Sequence, residues 1–196
     1  EVCPNPKIIL HSERAGAVSV LTDYFDRMQS NAIDYDIIGL SYYPYHHGNL
    51  ETLETALNTL ESKSYGKDIM IVETGYSYAW ALEDTTFDYT KTYPYTEEGQ
   101  RQFTADLVTK LKSHPNVKGL FWWWPEDNGD KQVTNRWWNA ALYDHNSGKP
   151  YAAFYELSNF TERGAGLTSL ATDTRANGSW YSLQGVRQSG HPTRSG

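Results

Sequence analysis

Lys67-Asp68-Ile69-Met70-Ile71-Val72-Glu73-Thr74-Gly75-Tyr76 is an apolar, strand-preferring run that leads straight into a carboxylate, with a glycine and an aromatic behind it. A run with so little polar alternation reads as a strand of a parallel sheet covered by other elements. Its C-terminal end then delivers one acidic group to the rim of that sheet. Desolvation opposes a charge in such a place unless the group is paired, hydrogen-bonded or used in chemistry. Glu73 is therefore the first candidate functional residue, set against the plainer reading that it merely opens a surface loop.

Working outward, the same pattern recurs. Lys7-Ile8-Ile9-Leu10-His11 reads as a first strand, followed by a helix in which Val18, Leu21, Phe25 and Met28 recur at helical spacing. Asp36-Ile37-Ile38-Gly39-Leu40-Ser41 is a second strand, leading into the aromatic loop Tyr42-Tyr43-Pro44-Tyr45. Asn49 can cap a helix with the stripe Leu50, Leu53, Leu57 and Leu60, which Gly66 closes. After Glu73 comes a long polar and aromatic loop, Ser77 to Tyr95, then a helix from Thr96 that aligns Phe103, Leu107 and Leu111. Val117 to Trp124 is a fourth strand stopped by Pro125, and a last helix fits Pro150 to Leu157.

Strands alternating with helices define parallel βα units and an α/β fold. Four units fit either a small doubly wound sheet or half of an eight-stranded TIM (β/α)8 barrel, which typically needs roughly 250 residues. The glycine-rich phosphate loop that would support the first is absent. The candidate functional groups fall just after the second, third and fourth strands, where barrel enzymes carry their active sites. The half-barrel is the expectation, over residues 1–160.

The bulk composition narrows the partner. The 196 residues carry a net charge of −7, which argues against nucleic acid, whose phosphates demand basic patches. Fifteen tyrosines, 7 tryptophans and 6 phenylalanines suit a surface that stacks on sugar rings, and suit plain aromatic packing as well. No apolar run approaches membrane-spanning length. The opening Glu1-Val2-Cys3-Pro4 has neither an initiator methionine nor a signal peptide, so the chain reads as an excerpt of a longer protein. Cys3 is the single cysteine and supplies no disulfide framework or thiolate metal site.

Three segments together carry a resemblance: Asp36-Ile37-Ile38-Gly39-Leu40-Ser41-Tyr42-Tyr43-Pro44 with His47-Gly48, then Val72-Glu73-Thr74, then Gly119-Leu120-Phe121-Trp122-Trp123. The chain resembles glycoside hydrolase family 53, the arabinogalactan endo-β-1,4-galactanases, over roughly residues 7 to 157. That likeness covers the C-terminal half of the family's barrel, strands five to eight. The family is similar to other retaining glycosidases of its clan, in which the acid/base ends the fourth strand and the nucleophile the seventh. With Lys7–His11 as the fifth strand, the resemblance implies that Glu73 is the nucleophile. It also implies that the acid/base lies in an N-terminal barrel half that this chain lacks, so the isolated chain is expected to be inactive.

The implied substrate is a polysaccharide, β-1,4-galactan, and Ser41, Tyr42, Tyr43, His47 and Trp123 are the candidate substrate-binding residues. Strand alternation puts Ile71, Glu73 and Gly75 on one face, and Gly39, Ser41 and Tyr43 on one face of the neighbouring strand. A tyrosine hydroxyl can then orient Glu73: Tyr43 by phase, or Tyr42 by turn geometry. Trp123 aligns with the family's tryptophan beneath the sugar at the cleavage site, while Trp122 and Trp124 are expected to split between the opposite face and the loop. Three departures touch the subsites and leave Glu73 alone. His46 stands where the family usually has tryptophan, Trp124 where it has glutamate, and Ser12-Glu13-Arg14 where it often shows Asp-Asn-Gly.

No cofactor is expected. His46-His47 has no third ligand and is read as sugar contact or packing ahead of metal. Asp127-Asn128-Gly129-Asp130 offers Asp127 and Asp130 as candidates for a structural calcium, against a solvated turn, since the full EF-hand pattern is missing. A Ser-His-Asp triad finds no G-x-S-x-G elbow. Residues 161–178 read as a linker, and 179–196 resemble the opening of the C-terminal β-type domains that sort some exported bacterial enzymes. The expected location is secreted, periplasmic or cell surface. Two alternatives stay open: a retaining glycanase of the same clan acting on mannan or glucan, and a non-catalytic carbohydrate-binding protein.

Overall fold

The strand that carries Glu73 is the third of four in a parallel sheet whose spatial order follows the chain, β1-β2-β3-β4. The computed structural model describes residues 5–79, 84–126, 138–161, 180–181 and 187–188. The strands are β1 (Ile9–Ser12), β2 (Ile37–Tyr42), β3 (Asp68–Thr74) and β4 (Val117–Trp122). Between and after them run α1 (Val18–Ser30), α2 (Pro44–His47), α3 (Leu50–Ser62), α4 (Glu97–Lys112) and α5 (Ala152–Ser158). The four strands and four long helices stand where the periodicities place them. Two short elements escaped the sequence reading: α2 inside the aromatic loop, and a 3-10 turn at Trp138–Ala140.

The helix starts follow from capping. The Asn49 side chain accepts the Thr52 N–H at 3.0 Å, and the Thr96 hydroxyl accepts the Gly99 N–H at 3.0 Å. Each satisfies a backbone donor that the first turn leaves without a partner. Gly66, at φ +65°, sits in the turn between α3 and β3, a conformation that glycine adopts without steric cost.

One face of the sheet meets the helices. Ile38, Leu40 and Tyr42 of β2 and Ile69 and Ile71 of β3 bury against Leu21 and Phe25 of α1, Leu53 and Leu57 of α3, and Phe103, Leu107 and Leu111 of α4. Consecutive strand order, with successive helices joined to one core on one face, is singly wound. A doubly wound sheet reverses its strand order and is covered on both faces, so that alternative does not describe this chain. The other face carries His11, Gly39, Ser41, Val72, Gly119 and Phe121, and Phe121 is 53% exposed.

The ladder is not uniform. Leu40 pairs with Ile71 but the next residue, Ser41, pairs with Glu73, so β3 carries one extra residue at Val72. Simple alternation had put Ile71 and Glu73 on the same face, and this is corrected. Ile71 is fully buried on the helix side, while Val72 packs toward Gly39 on the other face, and the bulge resets the phase there.

The chain divides into two units, Glu1–Glu162 and Arg163–Gly196. In the second, β5 (Trp180–Tyr181) and β6 (Arg187–Gln188) pair antiparallel. Apart from Thr161, the expected linker at 161–178 lies outside the described residues, as does most of 179–196. Among the described residues, no helix is long and apolar enough to cross a membrane.

If the Asn49 side chain holds the start of α3, Asn49→Ala lowers the unfolding free energy by about 1 kcal/mol. Asn49→Asp, which keeps the acceptor, stays within a few tenths of wild type in urea titrations.

Candidate active site

Glu73 is half-buried near the C-terminal end of β3 and lines a cleft of about 560 Å3. The cleft lies at the C-terminal ends of the strands, bounded by Ser41 of β2 and Tyr43 just beyond it, His46 and His47 from α2, and Glu13, Arg14, Gly16 and Ala17 from the β1–α1 loop. Thr86 and Phe87 close it from the loop after β3. That loop is pinned where it matters, because the Thr86 and Phe87 N–H groups both donate to the Tyr45 carbonyl, at 2.8 and 3.0 Å.

Tyr43 donates its hydroxyl to Glu73 Oε2 at 3.2 Å. Burial, and then the Glu73 charge, push the Tyr43 hydroxyl well above its ordinary range, so it stays protonated and serves as a donor. Tyr42, the alternative partner, sits elsewhere. It is fully buried on the helix side and donates to the Gly48 carbonyl at 2.9 Å. Alternation separates the two neighbours: Tyr42 continues the core phase of Ile38 and Leu40, and Tyr43 the cleft phase of Ser41.

Ser41 is 2% exposed and its hydroxyl lies 2.8 Å from His11 Nε2, so β1 contributes a polar partner that the sequence did not single out. His47 Nδ1 accepts the Tyr43 backbone N–H at 3.0 Å. With Nδ1 accepting, the ring proton of neutral His47 belongs on Nε2. Burial, with a smaller contribution from His46, lowers its pKa from 6.5 to about 4. Burial also lowers that of His46, against an opposing pull from Asp84. Both rings are neutral near pH 7.

The tryptophan run divides as its local geometry dictates. Trp122 turns into the core, where its Nε1–H donates to the Ala140 carbonyl at 2.7 Å. Trp123 extends the ladder by donating its N–H to the Thr74 carbonyl at 2.7 Å, one residue beyond Glu73 on the neighbouring strand. Trp123 is 36% exposed but is not among the residues bounding the Glu73 cleft. Trp124, beyond the end of β4, adopts φ +58° and stacks on Trp123 with ring centroids 6.0 Å apart, so Trp122 and Trp124 part between the core and the loop.

Glu13 and Arg14 stand at the cleft rim and pair with each other, Arg14 Nε to Glu13 Oε1 at 2.8 Å. Gly16 follows them for a steric reason: a Cβ there would stand 2.6 Å from the His47 carbonyl oxygen. Asp127 and Asp130 lie outside the described residues. Among the described residues, no group of three or more His, Cys, Asp or Glu side chains is placed to hold a metal ion.

The family model for glycosyl hydrolase family 53 matches residues 1–156, and the chain belongs to that family. An uncharacterized protein in the bgaB 5' region of Niallia circulans is 31% identical over 176 residues, covering 82% of this chain and 46% of its own length. The endo-β-1,4-galactanase of Bacillus subtilis is 30% identical over 135 residues, covering 64% of this chain and 30% of its own. Among solved structures, the GH53 catalytic domain of Ignisphaera aggregans superposes with a TM-score of 0.64 at 27% identity, covering 79% of this chain and 46% of that one. The chain therefore spans less than half the length of these relatives.

His47 also makes stability depend on pH. Its folded pKa of about 4 lies below its ordinary 6.5, so between those values the unfolded chain binds more protons than the folded one. Stability is full above pH 6.5 and falls as pH drops toward 4. In thermal melts, Tm declines through this window, and His47→Asn makes the decline shallower.

Proposed function

We propose that this chain is the nucleophile-bearing half, strands five to eight, of a retaining endo-β-1,4-galactanase barrel. The observation that carries the reading is the 3.2 Å bond from Tyr43 to Glu73 inside the cleft at the strand ends. A retaining glycosidase needs one carboxylate to attack the anomeric carbon and a second carboxyl group, about 5–5.5 Å away, to protonate the leaving oxygen. Tyr43 keeps its proton and hydrogen-bonds through it to one carboxylate oxygen of Glu73, which leaves the other oxygen for attack. Glu73 attacks C1 as the glycosidic bond breaks, giving a galactosyl-enzyme that water then hydrolyses. The acid/base is assigned to the N-terminal barrel half. Neither Glu13 nor Glu126 takes that role in the family's pattern.

The roles of the neighbours follow from their atoms. Ser41 and His47, which line the cleft, are the partners for sugar hydroxyls. Trp123 offers a flat apolar plate to the C–H face of a galactose ring, joined by Trp124. No step in this reaction runs through a cofactor, and Asp127 and Asp130 stay the candidates for a structural calcium.

Closure of the barrel by a second half is supported by what the sheet leaves uncovered. Among the described residues, β1 and β4 have no outer partner, and Ile9 and Phe121 are 40% and 53% exposed on the face away from the helices. Such edges and faces drive self-association unless they are covered. We place the complete enzyme outside the cytoplasm, in keeping with a polymeric substrate and with the 179–196 segment.

In the full-length enzyme, Glu73→Gln lowers hydrolysis of linear galactan by a factor on the order of 10^3 or more while galactan binding persists. Unchanged turnover would remove Glu73 from the mechanism, and loss of turnover with binding kept excludes a purely sugar-binding role. Reducing-sugar release from galactan should exceed that from mannan or glucan; the reverse order would assign the alternative polymer. Separately, residues 1–160 alone should show no hydrolysis and should self-associate in sedimentation experiments. Co-expression with the N-terminal half should restore both solubility and turnover.

A further inference from the structure

Tyr43 is the N-cap of α2 and His47 is its last residue, so one short turn of helix contains both ends of a hydrogen bond. In a capping box, a Glu or Gln side chain returns from the first turn to the N-cap N–H. Here an imidazole makes that return, one position further along. Pro44 sits at the first helical position, where its fixed φ pre-forms the turn. Gly16 abuts the His47 backbone from the β1–α1 loop, and the Tyr42 hydroxyl holds the Gly48 carbonyl immediately beyond. His47 is thus fixed from three sides, and the Tyr43 backbone is tied to it. From that backbone the Tyr43 side chain reaches Glu73.

We propose that His47 is a positioning residue for the nucleophile: by accepting the Tyr43 N–H on Nδ1 it fixes the direction in which Tyr43 donates to Glu73. The proposal rests on the reading of Glu73 as nucleophile, and it adds a role distinct from sugar contact. A direct contact acts on substrate affinity, whereas a misdirected nucleophile acts on the chemical step. The bond requires a neutral ring, since protonation of Nδ1 would set one N–H against another. The groups facing the ring are His46 on α2, Glu13 and Arg14 on the β1–α1 loop, and the Tyr42 and Tyr43 rings. Glu13 opposes Arg14 and His46, and burial dominates, which keeps the ring uncharged through the neutral range.

The test uses the full-length enzyme on linear galactan. His47→Leu removes the acceptor and should lower kcat by about tenfold to a hundredfold, beyond whatever KM rises through the lost sugar contact. His47→Asn, whose Oδ1 stands near the position of Nδ1, should recover most of that loss. Tyr43→Phe with His47→Leu should be no slower than Tyr43→Phe alone, because both act through the same hydroxyl. Additive losses, or a change confined to KM, would overturn the proposal in favour of direct sugar contact. Should His47→Leu fail to fold, nitrogen NMR of the wild-type enzyme at pH 7 decides it: a proton on Nε2 supports the proposal, and a proton on Nδ1 overturns it. An active Glu73→Gln variant would sink the nucleophile reading, whereas an inactive one beside additive His47 and Tyr43 effects sinks only this one.

Discussion

The constraint on which the site depends is the extra residue at Val72. A regular β3 would send Ile71 and Glu73 to the same side, so that burying one would bury the other. The bulge lets Ile71 complete the core against Leu40 and still turns Glu73 out beside Ser41. A single added residue thus separates the strand into a segment that stabilises and a segment that presents a carboxylate to the cleft. Bulges are common next to active sites for this reason, since they re-aim a side chain without dissolving the sheet.

Around that strand the aromatic residues divide by the same logic. Tyr42 and Tyr43 are adjacent, yet one fills the core and the other serves the carboxylate, because alternation at the end of β2 points them oppositely. Tyr45 and Tyr76 extend the buried layer under the cleft, and the Tyr45 carbonyl anchors the loop that brings Phe87 to its rim. The floor of the cleft is therefore continuous with the core. A carboxylate held by a hydroxyl on such a floor has little freedom to turn away.

Much of this was legible in the sequence, and the reasons differ by element. The strands and long helices declared themselves through periodicity and caps, with Asn49 and Thr96 marking helix starts within a residue. The placing of Glu73 in a cleft with a hydrogen-bond partner was legible because a carboxylate closing an apolar strand is costly without one. The bulge was not, since Met70-Ile71-Val72 offers no polar residue to betray a phase change. Nor was α2: a four-residue helix has no period to detect, and its cap is an imidazole rather than the usual Glu or Gln. Tyr43 and Tyr42 could be told apart only by phase, which chose the residue that the structure places on Glu73. The contact between His11 and Ser41 joins strands thirty positions apart and left no local signal.

Trp124 holds its backbone at φ +58°, a region that bulky L-residues enter at a cost of order 1 kcal/mol or more. The turn lays its indole along that of Trp123 instead of across the strand. Glycine or asparagine would relieve the torsion and leave no ring behind. Backbone ease and the paired indoles therefore pull in opposite directions at this one position, and the chain has settled on the ring.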